Sequence, residues 1–268
     1  MRVYGQDLDN NGSIDPLISC FWRDSVGDRY EYLYHPRQDV IKQFVGIRKR
    51  FNTYAEFGES TVPEMFAGGE MDDAFILKTN WLKSSWIENQ NGKFVVHPLP
   101  IEAQLAPIYG IQTLDYDHDG RLDIVMVGND FGMEVQQGRA DAFVGLVLHN
   151  AGAQFEPLRL AESKWYVPGD AKSLAKVMVS DSAYLLISGQ NSDELKALVS
   201  LEAQNLLIRV DPQIVKCSLK LTDGSSRLHE FYWGDTFQSQ SSRILASNPS
   251  IKEITWLDQN GEEVNLVQ

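Results

Sequence analysis

The stretch "DYDHDGRLDIVMVGND", residues 115–130, decides how this chain is interpreted. Its first nine residues carry four carboxylates, and a run of apolar, largely β-branched residues follows them. Carboxylates this close in sequence repel one another unless a cation or hydrogen-bond donors compensate. The stretch therefore predicts a cation-binding loop that leads directly into a β-strand.

The same nine-residue frame occurs earlier, as "DLDNNGSID" at residues 7–15, an offset of 108 residues (115 − 7). Both copies fit D-x-[DN]-x-[DN]-G-x-x-D, with oxygen donors at alternate positions and a glycine that permits a sharp reversal. Ca²⁺ takes six to eight oxygen ligands, so this spacing suits it. The predicted ligands are the side chains of Asp7, Asp9, Asn11 and Asp15 with the carbonyl of Ser13, and the side chains of Asp115, Asp117, Asp119 and Asp123 with the carbonyl of Arg121.

Three alternatives to these strand-to-strand calcium loops differ in how well they fit the sequence. An EF-hand requires a Glu at the twelfth position and flanking helices, but Ile18 and Met126 occupy that position and the flanks have strand character. A metal-free turn stays open, since Asp, Asn and Gly are ordinary turn formers. Mg²⁺ fits less well, because it prefers few protein ligands and several waters.

Short segments rich in β-branched and aromatic residues, bounded by Gly, Asn, Asp or Pro, follow one another along the chain and predict an all-β fold. Residues 36–66 break this pattern, because apolar side chains recur there at helical spacing. We therefore expect a small helical insertion at 36–66.

Further echoes suggest repeated units. The segment "NQNGKF" (89–94) is similar to "HNAGAQF" (149–155), and a degenerate third unit without carboxylates falls at 173–199. Repeated small sheets of this kind are typical of β-propeller blades. We expect partial propeller blades with calcium-binding loops between strands.

The segments "DLDNNGSIDP" (7–16) and "DYDHDGRLDIVMVGNDFG" (115–132) resemble the calcium loops of FG-GAP/VCBS repeats, which form integrin-α-like propellers. The segments at 40–66 and 94–120 look like the last propeller section of large bacterial, Bacteroidetes-like proteins of this kind. The tail "EFYWGDTFQSQSSRILASNPSIKEITWLDQNGEEV" (230–264) is similar to the ASPIC/UnbV segment. The resemblance implies propeller blades over 1–212 and an ASPIC/UnbV-like C-terminal β segment over 213–268.

The resemblance also implies an extracellular or outer-surface location and a role in binding or adhesion. A propeller ring has about four to eight blades, whereas this chain holds two clear units and a weak third. We therefore expect the C-terminal portion of a longer protein, and the other blades would be one partner.

The composition of the chain narrows the range of possible binding partners. The 268 residues carry a formal net charge of −13, which disfavours nucleic acid and anionic membranes because both are polyanions. No apolar run reaches the length of about 18 residues that a membrane span needs, and the first residues, "MRVYGQDLDNNG", do not form a signal peptide. The two cysteines, Cys20 and Cys217, are expected to be unpaired, with a single bridge left open.

No known catalytic motif is present, and the five histidines are scattered. The sequence favours a non-catalytic, calcium-stabilised module that binds a protein or glycan. The alternative is a polysaccharide lyase or hydrolase whose active site lies outside these motifs; a third possibility is a blade edge that pairs with another chain. A flat surface bearing exposed aromatic residues such as Trp81, Trp86 or Trp165 would favour a binder, and a cleft with perturbed histidines and carboxylates that do not bind calcium would favour an enzyme.

Overall fold

The computed structural model describes residues 1–135, 138–201 and 206–264. Strands hold 43% of the chain and helices 12%, so the all-β prediction is confirmed. The chain divides into two compact units, Met1–Leu82 and Lys83–Gln268.

The elements of the first unit are β1 (Arg2–Gln6), β2 (Asp15–Arg23), β3 (Arg29–Leu33), α1 (Arg37–Gln43), α2 (Gly46–Arg50), α3 (Tyr54–Glu59), α4 (Val62–Met65) and β4 (Phe75–Lys78). The four strands form one antiparallel sheet with the order β3-β2-β1-β4. Apolar side chains from this sheet and from the helices between β3 and β4 form one core, in which Leu17, Val40, Ile47 and Met65 are fully or almost fully buried.

The helical insertion consists of several short helices. Phe44, at the end of α1, takes an extended conformation with φ −136°, and Gly46 opens α2. Thr53 then caps α3: its side chain accepts a hydrogen bond from Glu56 N, while the Glu56 carboxylate accepts one from Thr53 N. Such a reciprocal capping box favours a new helix start, so the apolar spacing of 36–66 is divided among separate helices.

The elements of the second unit are β5 (Ser85–Gln90), β6 (Lys93–Pro98), a 3₁₀ helix (Ile101–Gln104), β7 (Ile108–Leu114), β8 (Asp123–Gly128), β9 (Leu146–Asn150), β10 (Phe155–Pro157), α5 (Leu160–Ser163), β11 (Ala171–Ser180), β12 (Ala183–Gln190), β13 (Lys196–Leu201), β14 (Leu206–Arg209), β15 (Lys216–Leu221), β16 (Ser226–Glu230), β17 (Ile244–Ser247) and β18 (Ile251–Leu257). Strands β7 to β10 form a four-stranded antiparallel meander with the order β10-β9-β8-β7. A three-stranded sheet, β11-β12-β13, lacks an Asp-rich loop. The other sheets are β5-β6, β14-β17 and β16-β15-β18.

Strand β8 is covered on both faces. Val125 and Val127 belong to a cluster that also contains Leu174 of β11, whereas Met126, between them, belongs to another cluster with Leu148. Successive side chains of a strand point to opposite faces, so one strand serves two cores. This double burial explains why "DIVMVG" is an almost continuous apolar run.

Strands β14 and β17 pair across the expected boundary between residues 212 and 213. That boundary and the assignment of the C-terminal segment stay predictions.

Both cysteines are free thiols, as expected. Burial raises the pKa of the Cys217 thiol to about 11. No helix within the described residues is long and apolar enough to cross a membrane.

Candidate metal centres

Each Asp-rich loop joins two neighbouring antiparallel strands. The first loop lies between β1 and β2, where Gln6 pairs with Asp15, and the second lies between β7 and β8, where Leu114 pairs with Asp123. The ninth position of each frame is therefore the first residue of a strand, and its side chain is buried. The flanking strands differ from the helices that an EF-hand requires.

The two loops share one pattern of hydrogen bonds. In the second loop, backbone N–H groups donate to the carboxylates in four places: Tyr116 N to Asp123 (2.8 Å), Asp119 N to Asp117 (3.2 Å), Gly120 N to Asp115 (3.0 Å) and Arg121 N to Asp119 (2.8 Å).

The first loop repeats all four bonds at the equivalent positions. They are Leu8 N to Asp15 (3.0 Å), Asn11 N to Asp9 (3.1 Å), Gly12 N to Asp7 (2.8 Å) and Ser13 N to the Asn11 side-chain oxygen (2.8 Å). The two segments thus share a three-dimensional frame as well as a sequence pattern.

Backbone conformation agrees at the turning positions. The fourth residue is left-handed in both loops, Asn10 with φ 60° and His118 with φ 63°. The sixth is left-handed too, Gly12 with φ 87° and Gly120 with φ 91°. His118 is exposed, as its non-ligand position predicts. These left-handed residues fold the loop back so that its amides and carboxylates converge.

The structure brings most of the predicted carboxylates together. In the first loop, one carboxylate oxygen from each of Asp7, Asp9 and Asp15 falls into a group whose atoms lie within 4.8 Å of one another. In the second, two such groups overlap at Asp117: one contains Asp115, Asp117 and Asp119, and the other contains Asp117, Asp123 and His149.

The remaining predicted ligands have local contacts. The Asn11 side-chain oxygen accepts a hydrogen bond from Ser13 N. The Arg121 side chain forms an ion pair with Asp119 and donates from Nε to the Asn150 carbonyl (2.6 Å). The carbonyl-ligand roles of Ser13 and Arg121 stay predictions.

Sequence reasoning missed His149, which lies at the end of β9. Its Nδ1 atom lies 2.9 Å from Asp117 Oδ2 and 3.5 Å from Asp123 Oδ1, yet it has no hydrogen bond of good geometry to a described residue. The sequence feature that could have identified it is the repeated segment "HNAGAQF" (149–155), in which this histidine directly precedes the turn at Asn150 and Gly152. The neighbouring Asn150 N donates to Asp123 Oδ1 (2.8 Å), which fixes the carboxylate against β9.

Asp115 combines a shifted pKa with a buried oxygen that has no donor. Burial is the main reason that its pKa is raised. Its Oδ2 accepts from Gly120 N and, at 3.3 Å, from Asn248 Nδ2, but its buried Oδ1 has no hydrogen-bond partner among the described residues. A buried carboxylate oxygen without a donor is costly, and a cation would compensate it.

Asp115 also lines a cavity of about 40 Å³ together with Lys176, Arg227 and His229. Burial, followed by the charges of Lys176 and Arg227, lowers the pKa of His229 to about 4. This cavity has room for a few water molecules. It is the one place in the described structure where a strongly shifted histidine shares a cavity with a loop carboxylate.

The three tryptophans singled out as possible binding residues have different environments. Trp81 is 49% exposed, whereas Trp86 stacks on His97 with ring centroids 4.3 Å apart. Trp165 is buried in the core, and its Nε1 donates to the Met126 carbonyl (3.1 Å). Trp165 is therefore a core residue and offers no surface for a ligand.

No model of a protein family matches the chain, and a search of curated proteins finds no significant match.

Proposed function

We propose that this chain is a calcium-stabilised, non-catalytic binding module from the C-terminal portion of an extracellular FG-GAP/VCBS-type propeller protein with an ASPIC/UnbV-like tail. The observation that carries the proposal is the shared frame of the two loops, which make the same four hydrogen bonds at positions 108 residues apart. Turn preferences explain one such loop without a metal. The same frame twice, each time with a buried ninth carboxylate, favours a common ligand.

The donor chemistry of the loops fits a hard divalent cation. Each loop supplies up to four side-chain oxygen ligands, and one carbonyl with water would complete the six to eight that Ca²⁺ takes. Backbone amides offset only part of the negative charge, and Asp115 Oδ1 has no hydrogen-bond donor among the described residues. A bound divalent ion would offset the repulsion between the carboxylates and tie the two strands of each hairpin together.

The sheets of the second unit support the propeller part of the proposal. Strands β7 to β10 form a four-stranded antiparallel meander, and a propeller blade is a four-stranded sheet of this kind. Remaining blades would come from the parent protein. Structural calcium sites of moderate affinity fill where calcium is millimolar, outside cells, so an extracellular or outer-surface location follows from the same proposal.

Thermal unfolding with calcium and with a chelator tests the metal assignment. At calcium about 100 times its Kd, each site adds about 2.7 kcal/mol, so chelation should lower the midpoint markedly. The paired variants Asp7→Asn/Asp9→Asn and Asp115→Asn/Asp117→Asn should each remove part of that response.

Matched controls come from aspartates in ordinary turns. Asp24 accepts hydrogen bonds from three backbone amides, and Asp223 accepts one from Ser225 N. Asp24→Asn and Asp223→Asn should leave the calcium response intact. A wild-type melting midpoint that does not change with calcium would contradict the calcium assignment.

The same measurement with zinc distinguishes a calcium site from a transition-metal site. The imidazole of His149 suits Zn²⁺ better than Ca²⁺, which prefers oxygen. Suppose that the wild-type melting midpoint rises with zinc but not with calcium, and that His149→Gln removes the zinc response. The group of Asp117, Asp123 and His149 would then be assigned to a transition metal instead.

The alternative function, a lyase or hydrolase acting on polysaccharide, is favoured by one observation. His229 is neutral near pH 7, so it has the protonation state of a general base. Its cavity of about 40 Å³ holds water but no sugar ring, so this alternative requires the cavity to widen when substrate binds. The test is release of new chain ends from a panel of polysaccharides, with loss of activity in His229→Gln. No release by the wild type would remove this alternative.

A further inference from the structure

An open cleft of about 550 Å³ lies in the second unit, and none of its lining residues belongs to an Asp-rich loop. Its walls come from the start of β7, the start of β11, the end of β12 and the segment between β16 and β17. The volume lies within the range of about 300–1,000 Å³ that is usual for small-molecule sites. The cleft therefore has room for a ligand of one or two sugar rings.

One wall of the cleft is aromatic. Tyr109 and Phe237 lie with ring centroids 5.4 Å apart and planes tilted by 47°. Lys172 Nζ lies 4.0 Å from the Tyr109 centroid, so a cation already occupies one face of that ring. Phe237 is 51% exposed, and its ring offers apolar surface to a ligand.

The charges that line the cleft are paired with one another. Lys172 Nζ lies 3.3 Å from Asp130 Oδ1 and 2.8 Å from Asp170 Oδ1, and the Tyr109 hydroxyl donates to Asp130 Oδ2 (2.8 Å). Asp170 is buried and does not line the cleft, so the lining carries one cation and one carboxylate and has no net charge. A neutral ligand avoids the cost of breaking these pairs.

Amide side chains add polar groups to the lining. Gln190, Asn191 and Gln238 all line the cleft. The Gln190 amide donates to Ser188 Oγ (3.2 Å), and the Asn191 amide donates to Asp170 Oδ2 (2.9 Å). Amide groups both donate to and accept from the hydroxyl groups of a neutral ligand.

We infer that this cleft binds neutral saccharide units. A sugar ring packs its apolar C–H face against Phe237, its hydroxyl groups meet the amide side chains of the lining, and no ligand charge is required. The inference rests on the proposed function of a binding module and selects a glycan as the ligand. A protein partner would need an interface of about 800 Å² on each side, far more than this local cleft offers.

The test uses the full chain with calcium and a panel of neutral disaccharides, cellobiose, maltose, lactose and chitobiose, followed by their polymers where these exist. Saturation-transfer NMR and calorimetry measure the disaccharides, and affinity electrophoresis measures the polymers. Phe237→Ala should weaken binding by about tenfold or more. Trp233→Ala is the matched control, because Trp233 is exposed in the same segment but does not line the cleft.

The outcomes separate this inference from the calcium proposal. Saccharide binding that Phe237→Ala weakens and Trp233→Ala preserves supports the cleft. Binding to none of the panel at about 1 mM, or binding that both aromatic variants change equally, overturns the cleft as a saccharide site. If the melting midpoint depends on calcium but no saccharide binds, only the inference about the cleft is contradicted. If a saccharide binds but the melting midpoint does not depend on calcium, only the metal assignment is contradicted.

Discussion

At the scale of the residue, the glycine at the sixth position of each Asp-rich loop has a conformational reason to be there. Gly12 has φ 87°, and a Cβ added to it would meet no atom within 4 Å. A side chain at this position is therefore opposed by backbone strain alone, since the left-handed region costs L-residues about 1–2 kcal/mol. Gly12 is thus a clean probe of the loop conformation.

Gly12→Ala should lower the free energy of unfolding by about 1 kcal/mol and weaken calcium binding by the first loop. Gly58→Ala is the matched control, because Gly58 lies in α3 and its added Cβ would also meet open space. Alanine is the better helix former by about 1 kcal/mol, so this control should be neutral or stabilising. Urea unfolding of both variants measures the difference, and equal effects would argue against a strained loop.

His229 predicts an acid-sensitive contribution to stability. Its pKa falls from 6.5 to about 4 on folding, so the unfolded chain binds a proton that the folded chain excludes. Stability from this group is complete above the unfolded pKa of 6.5 and is lost as pH falls towards 4.

Between pH 7 and pH 5 this group should cost about 2 kcal/mol, and His229→Gln should remove that part of the pH dependence. The measurement is the difference in free energy of unfolding in urea between the two metal-free proteins at each pH, so that contributions common to both proteins cancel. Arg227 and Lys176 approach the imidazole, and Phe231 packs beside it at 4.8 Å. Identical pH profiles for the two proteins would show that His229 is not buried as described.

At the scale of the element, β11 shows how one strand divides between core and surface. Leu174 is fully buried in the main cluster of the second unit, and Val179, further along the strand, is 54% exposed. Leu174→Ala should cost about 2–5 kcal/mol through lost burial and a cavity. Val179→Ala should stay within about 0.5 kcal/mol. Chemical denaturation of the two variants compares them, and similar losses would place Leu174 outside the core.

At the scale of the whole molecule, electrostatic repulsion should set how the protein responds to salt. The formal net charge is −13, and two calcium ions would change it to −9 (−13 + 4). Self-repulsion destabilises a compact state, and raising the salt from about 0.01 M to 1 M shortens the Debye length from about 30 Å to 3 Å.

The melting midpoint in chelator should therefore rise with NaCl, and the rise should be smaller with calcium bound. Differential scanning fluorimetry across a salt series in chelator and in calcium checks this. An equal salt response in the two conditions would mean that the loop carboxylates do not contribute to the repulsion.

The fold class and the loop frame were predictable because the features that specify them are local. All predicted ligands of one loop lie within nine residues, and the glycine turn and the following strand are adjacent in sequence. The break-up of residues 36–66 into short helices was harder to predict, because Gly46 and the Thr53 cap interrupt an apolar spacing that continues across them.

The sequence by itself determined an all-β chain with two equivalent carboxylate loops, since alternation, turn residues and ligand spacing act over a few residues. Only the tertiary structure decided which distant groups join them. It brought His149 to Asp117 and Asn248 to Asp115, and it placed Tyr109 beside Phe237. These contacts depend on strand pairing and on packing between segments 32 to 133 residues apart (149 − 117 and 248 − 115), which no local pattern specifies.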